Sequence, residues 1–164
     1  LALPPWAPVK AKKPELTLRV RAMRYLARRE HSRAELQAKL SPHVQEGEDL
    51  DEVLDDLEKR NWLSDARAAA QLVEIKRGRF GTQRIAHELR MKGIDENLID
   101  EALPQLKATE LDAAREVWQR KFASLPRDAK AKARQIRFLQ SRGFSVEVIL
   151  KVLKSAAAGI DDEG

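Results

Sequence analysis

Residues 84–103, RIAHELRMKGIDENLIDEAL, align without a gap on residues 134–153, RQIRFLQSRGFSVEVILKVL. Leu89 matches Leu139, Lys92 matches Arg142, Gly93 matches Gly143, Ile94 matches Phe144, Ile99 matches Ile149 and Leu103 matches Leu153. Self-similarity of this kind marks a repeat architecture. In each copy the apolar residues follow a helical period, break at a glycine, and resume. A residue without Cβ accepts positive φ at a helix end at no steric cost. The apolar residue after it can pack back on the helix, and Asp95 or Ser145 can cap the helix that follows. Each copy reads as helix, tight turn, helix.

Working outward, helices over roughly 65–76 and 110–123 precede the two copies. A third, looser group lies upstream. Leu18, Ala22, Tyr25 and Leu26 share one helical face while Arg21, Arg24 and Arg28 share another. Ser32 with Glu35 forms a capping box that starts a second helix carrying Leu36 and Leu40. A third helix carries Leu50, Val53, Leu54 and Leu57 and ends near Asn61, with Ser64 or Asp65 capping the next. AELQAKL and LDEVLDDL match the later copies with an insertion between them. The expectation is nine helices in three units of just under 50 residues.

Alternating apolar runs rich in β-branched residues are absent from the sequence. The predicted fold is all-α, an elongated tandem array of three three-helix, helix-turn-helix-like repeats. Its divisions are an extended Pro-rich basic arm at 1–16, repeats at 17–64, 65–108 and 109–158, and an acidic tail at 159–164. One such unit buries little, so the units should stabilise each other by stacking. Trp62, Trp118, Phe122, Phe138 and Phe144 are expected in cores or between units rather than stacked on bases.

The composition suits a small folded array: 164 residues, 43% hydrophobic and 35% charged. A net charge of +5 and a pI near 9.6 favour polyanionic partners. There is no cysteine, so disulfides and thiol chemistry are excluded. Pro4, Pro5 and Pro8 interrupt the apolar start as no signal peptide does, and no run reaches the roughly 18 apolar residues that span a membrane. A soluble, cytoplasmic, monomeric protein is expected.

Catalytic and metal chemistry find no motif. His87–Glu88 opens like a zincin helix, but Met91 stands where the second ligand is needed. EGEDLDEVLDDLEK lacks the glycine and alternating oxygen ligands of a calcium loop. RGRFG, residues 77–81, fits the GXXG loop of KH domains by its letters, yet that loop works beside a sheet. Gly78 and Gly81 are better read as the turn into a helix. No enzyme, metal or cofactor is expected.

Charge tracks the repeat. The basic positions are Arg21, Arg24 and Arg28 in the first unit, Arg77, Arg79, Arg84 and Lys92 in the second, and Lys130, Lys132, Arg134, Arg137 and Arg142 in the third. Regular stacking would join them into one positive face for a phosphate backbone or nucleoprotein groove. These are the candidate nucleic-acid and filament contacts. The alternative is a sequence-specific helix-turn-helix transcription regulator, against which stand the acidic candidate recognition helices at 49–58 and 95–103.

HSRAELQAKL (31–40), WLSDARAAA, RGRFGTQRIAHELRMKGI and KARQIRFLQSRGF (132–144) resemble, in order, segments of the RecX family, regulators of the bacterial RecA recombinase. The resemblance spans about residues 17–153. Asn61 departs from a common glycine and Thr82 from a common proline, and both suit a turn or helix start. The resemblance implies a non-enzymatic modulator of homologous recombination and the SOS response. It would bind RecA–DNA filaments and single- and double-stranded DNA, reducing filament growth, ATP hydrolysis and strand exchange.

Overall fold

The computed structural model describes residues 2, 4–8 and 15–162, with side chains to residue 159. Lys10, Lys12 and Lys13 of the basic arm lie outside the described residues. The elements are α1 (Leu18–Arg28), α2 (Arg33–Leu40), a short 3-10 turn (Ser41–His43), α3 (Leu50–Lys59), α4 (Asp65–Lys76), α5 (Thr82–Met91), α6 (Glu96–Lys121), α7 (Ala129–Ser141) and α8 (Val146–Asp162). Among the described residues there is no strand.

Local chemistry sets the helix ends. Thr17, Ser32, Asp49, Ser64, Asp95, Asp128 and Ser145 each accept a free amide of the first turn through a side-chain oxygen. Ser32 and Glu35 complete the capping box, the Glu35 carboxylate accepting from the Ser32 amide at 3.1 Å. Each such cap contributes about 1 kcal/mol. Gly93 (φ 71°) and Gly143 (φ 89°) turn the chain out of α5 and α7. The Ile94 and Phe144 amides then donate back to the Leu89 and Leu139 carbonyls, and both apolar side chains are buried. Asn61, φ 59°, supplies the same left-handed residue after α3.

Three cores follow. Leu18, Ala22, Leu36, Leu40, Leu54, Leu57 and Leu63 form the first. Val73, Ile85, Leu89, Ile94, Ile99 and Leu106 dominate the second, and Trp118, Leu139, Phe144, Ile149, Val152 and Leu153 the third. The expected core position of Trp62 is corrected: it is 41% exposed, with the Arg19 and Arg60 guanidinium groups 5.5 and 5.3 Å from its ring. Trp118 is buried, its indole N–H donating to Gln135 at 2.9 Å.

The expected nine helices become eight among the described residues, because residues 96–121 form one helix. The 108/109 division falls in its interior. Pro104 removes the amide bond to the Asp100 carbonyl. Both residues are exposed, so water can reach the freed group, while buried Ile99 and Leu106 hold the helix on the second core. Ala113, Ala114 and Trp118 then carry the same helix, about 39 Å long, into the third core. The acidic tail placed at 159–164 is likewise helical to Asp162, the run Ala156–Ala158 being the strongest of helix formers.

The units meet in a recurring way. The residue before the second helix of one unit caps the carbonyl at the end of the second helix of the next. Ser32 Oγ–H donates to the Lys92 carbonyl at 2.5 Å, and the Gly81 amide donates to the Arg142 carbonyl at 2.8 Å. A Cβ on Gly81 would lie under 3.0 Å from the Gly143 carbonyl and the Phe144 amide, both rigid backbone. Gly81 has φ −77°, so space and not backbone freedom requires glycine there. Gly78 faces open space.

Gly81→Ala should therefore push the second and third units apart and cost about 1–3 kcal/mol. Gly78→Ala should stay within about 0.5 kcal/mol of the parent. Thermal and urea unfolding followed by circular dichroism measures both, and equal stability of the two variants would contradict the contact.

Candidate nucleic-acid interface

The joint between the second and third units is where basic and aromatic side chains converge. Phe80, half-buried in the turn before α5, is approached by Arg84 at 4.1 Å, Lys76 at 4.9 Å and Arg142 at 5.6 Å from its ring centre. Phe138 of α7 is approached by Arg142 at 5.1 Å and Lys121 at 5.4 Å. Arg142 thus serves two rings, and cations and aromatics alternate from α5 to the end of α6. Beside them lies a cavity of about 340 Å³ lined by Gly78, Arg79, Val117, Arg120, Lys121, Phe138 and Arg142. Among the described residues Arg79, Lys121 and Arg142 have no carboxylate within salt-bridge distance, while Arg120 meets Glu116 at 3.1 Å. Of the cations over Phe80, Lys76 and Arg84 share one carboxylate, Glu88, at 3.8 and 3.6 Å, while Arg142 has none, so the cluster keeps positive charge in excess and suits a phosphate chain with bases alongside.

The predicted residues are distributed unevenly. Arg79 and Arg142 line this cavity, and Arg84 borders it, donating to the Ser141 carbonyl at 3.1 Å. Arg77 turns to Glu74 at 3.7 Å. Lys130, Lys132, Arg134 and Arg137 are exposed on α7 with no salt bridge among the described residues. Arg21, Arg24 and Arg28 line a separate cavity of about 190 Å³ with Leu16 and Tyr25. Lys92 is withdrawn into the first joint, paired with Glu35.

Sequence reading did not single out Arg120, Lys121 or Phe80 for this cluster; Phe138, expected in packing, does pack against the third core, edge-on to Phe122 at 5.4 Å. The signal was present in the aromatic residues set among basic ones in RGRFG and RQIRFLQSR. It emerges only when α6 is seen to end at Lys121 against α7.

The first joint has a different chemistry. Burial pushes the Glu35 carboxyl up, but hydrogen bonds from Lys92, Arg29 and the Ser32 amide outweigh it and hold the group at about 2. Behind it, buried His31 lies between the Arg29 carbonyl, 3.1 Å from Nδ1, and the Lys39 ammonium, 2.9 Å from Nε2. An ammonium can only donate, so Nε2 accepts and Nδ1 carries the proton. Burial, then the Arg29 and Lys39 charges, keep His31 below its ordinary value despite the bond to the Arg29 carbonyl. Further polar bonds cross this joint, from the Arg33 amide to Asp65 at 2.8 Å and from Arg67 to Glu30 at 2.9 Å.

Fold and surface together define an all-α array of three three-helix units with an acid-poor basic groove at one joint, the form of a binding and regulatory protein. Family models for the first, second and third three-helix domains of RecX match residues 19–57, 64–103 and 108–153. The chain belongs to the RecX family. It is 49% identical to Regulatory protein RecX of Leptothrix cholodnii over 144 residues, 88% of this chain and 92% of that protein. It is 42% identical to Regulatory protein RecX of Ralstonia nicotianae, over 90% of this chain and 92% of that one. Among solved structures, a crystal structure of regulatory protein RecX shares the fold with a TM-score of 0.68 at 23% identity, covering 82% of this chain and 70% of that one. RecX from Lactobacillus salivarius does so with a TM-score of 0.66 at 21% identity, over 86% and 95% of the two chains.

The folded state favours ionised Glu35, so its contribution to stability is complete above pH about 4.5 and disappears as pH falls through about 2. The expected loss is on the order of 2 kcal/mol. Folding also favours neutral His31, whose contribution is present above pH about 6.5 and declines below it. Chemical denaturation from pH 7 to 2.5 should show both losses, and Glu35→Gln should abolish only the more acidic one.

Proposed function

We propose that this chain is a non-enzymatic, cytoplasmic, monomeric modulator of homologous recombination and the SOS response. It binds the RecA–DNA filament and DNA through its basic face and restrains filament growth, ATP hydrolysis and strand exchange. The observation that carries this reading is the cation–aromatic groove at the second joint, rich in positive charge and poor in carboxylates, on a chain of the RecX family. Membership supports the partner, and the groove supports a polyanion at the contact.

The physical sequence has two parts. Unpaired cations on α7 and around the groove draw the array to the filament, an effect that decays over a Debye length of about 8 Å at physiological salt. The groove then holds phosphate and stacks bases against Phe80 and Phe138 without reading their order. A solenoid seated in this way occupies surface that incoming duplex or the next recombinase subunit needs. No bond is made or broken by the chain itself.

RecA ATPase on single-stranded DNA should fall when this protein is added at stoichiometric ratios, and an unchanged rate would end the reading. A selection experiment returning one duplex site bound a thousandfold or so above random DNA would replace it with a transcription regulator. Reversing Lys130, Arg134 and Arg137 to Glu should weaken DNA binding and flatten its log–log salt dependence by roughly 0.7–0.9 for each phosphate no longer neutralised. Identical binding at two salt concentrations would mean that this face is only solvated.

A further inference from the structure

The first unit has a cationic pocket that nothing in the fold requires. Arg21, Arg24 and Arg28 stand around Tyr25 on one face of α1 and, with Leu16, line a cavity of about 190 Å³. The chain pairs many of its other arginines: Arg33 meets Asp55 and Glu58, Arg60 meets Asp56, and Arg67 meets Glu30. Among the described residues the three on this face meet no carboxylate. The Arg21 Nε–H is buried and has no acceptor. A donor withdrawn from water with nothing to receive its proton destabilises the fold unless a ligand completes it. The surroundings add charge of the same sign, since the Lys39 ammonium lies 4.8 Å from the Tyr25 ring centre.

We propose that this pocket binds a single phosphate group, with the Arg21 Nε–H donating to one oxygen and Arg24 and Arg28 closing on the others. Guanidinium forks match phosphate geometry, which explains three arginines at this face and no lysine. The phosphate has two possible sources of one chemistry, the diester backbone of a nucleic acid and free phosphate. This inference deepens the reading that the basic face meets a polyanion, and it can fail separately from it.

The test uses the full chain labelled with ¹⁵N, following the arginine Nε–H resonances and the Tyr25 ring. It is titrated with inorganic phosphate, with a short single-stranded oligothymidylate, and with sodium chloride at matched ionic strength. Phosphate and oligonucleotide should both move the Arg21 Nε–H signal, the oligonucleotide should displace phosphate, and the exposed-site variant Arg24→Gln/Arg28→Gln should weaken both by about tenfold. Oligonucleotide binding that leaves Arg21 and Tyr25 unmoved overturns the pocket and spares the filament reading. Phosphate binding without any oligonucleotide binding supports the pocket as a free-phosphate site and removes the polyanion reading. Chloride reproducing the shifts, or a variant binding as tightly as the parent, overturns the pocket.

Discussion

The array depends on one contact made twice: the start of a second helix set against the end of the second helix in the next unit. A helix leaves its last carbonyls unpaired. Here the Lys92 and Arg142 carbonyls are met from the neighbouring unit, by the Ser32 hydroxyl and the Gly81 amide. α2, α5 and α7 are thereby linked positive end to negative end, the favourable sense for their dipoles. Stacking order, turn glycines and small residues at the joints all follow from bringing backbone this close. Gly93 would clash with Ala34, and Gly143 with Arg84, if either carried a Cβ.

That contact also explains why the cation at one joint is neutralised and the cation at the other is not. Lys92 and Arg142 occupy equivalent positions, so each joint delivers a cation beside the third helical residue of the neighbouring unit. At the first joint that residue is Glu35, and the cation is neutralised. At the second it is Arg84, which pairs with Glu88 of its own helix at 3.6 Å, so Arg142 shares the Phe80 ring with it and gains no acid across the joint. Continuous α6 supplies what the second joint lacks in ionic bonding, because one helix walls both cores. Buried Thr82 and Glu110 add a hydrogen bond of 3.2 Å across the same region.

Much of this was legible in the residues. The repeat, the caps, Asn61 and the turn glycines are local chemistry, and local chemistry repeats in the sequence wherever it repeats in space. The continuity of α6 was not legible, since Pro104 carries a strong local signal to stop and only the burial of Ile99 and Leu106 outweighs it. Trp62 escaped for a related reason: an aromatic residue flanked by arginines can lie under them at the surface as readily as enter a core. At the site, charge showed which helices were basic without showing which cations would be spent within the fold. Lys92 and Arg142 align as equals, and their roles divide on the identity of residues 35 and 84.

Compensation, more than net charge, therefore distinguishes holding the array together from binding to it. The Glu35–Lys92 pair is largely withdrawn from water, with side chains 14% and 29% exposed, so dissolved salt screens it weakly. The α7 cations are exposed and Arg84 and Arg142 partly so, and dissolved salt screens such groups more strongly than a withdrawn pair. As ionic strength rises, any attraction these cations exert on a polyanion would fade well before the joint that sets the stacking is weakened. The cation that closes the first joint already has its acid, so the excess positive charge elsewhere can meet salt or a polyanion without loosening that joint.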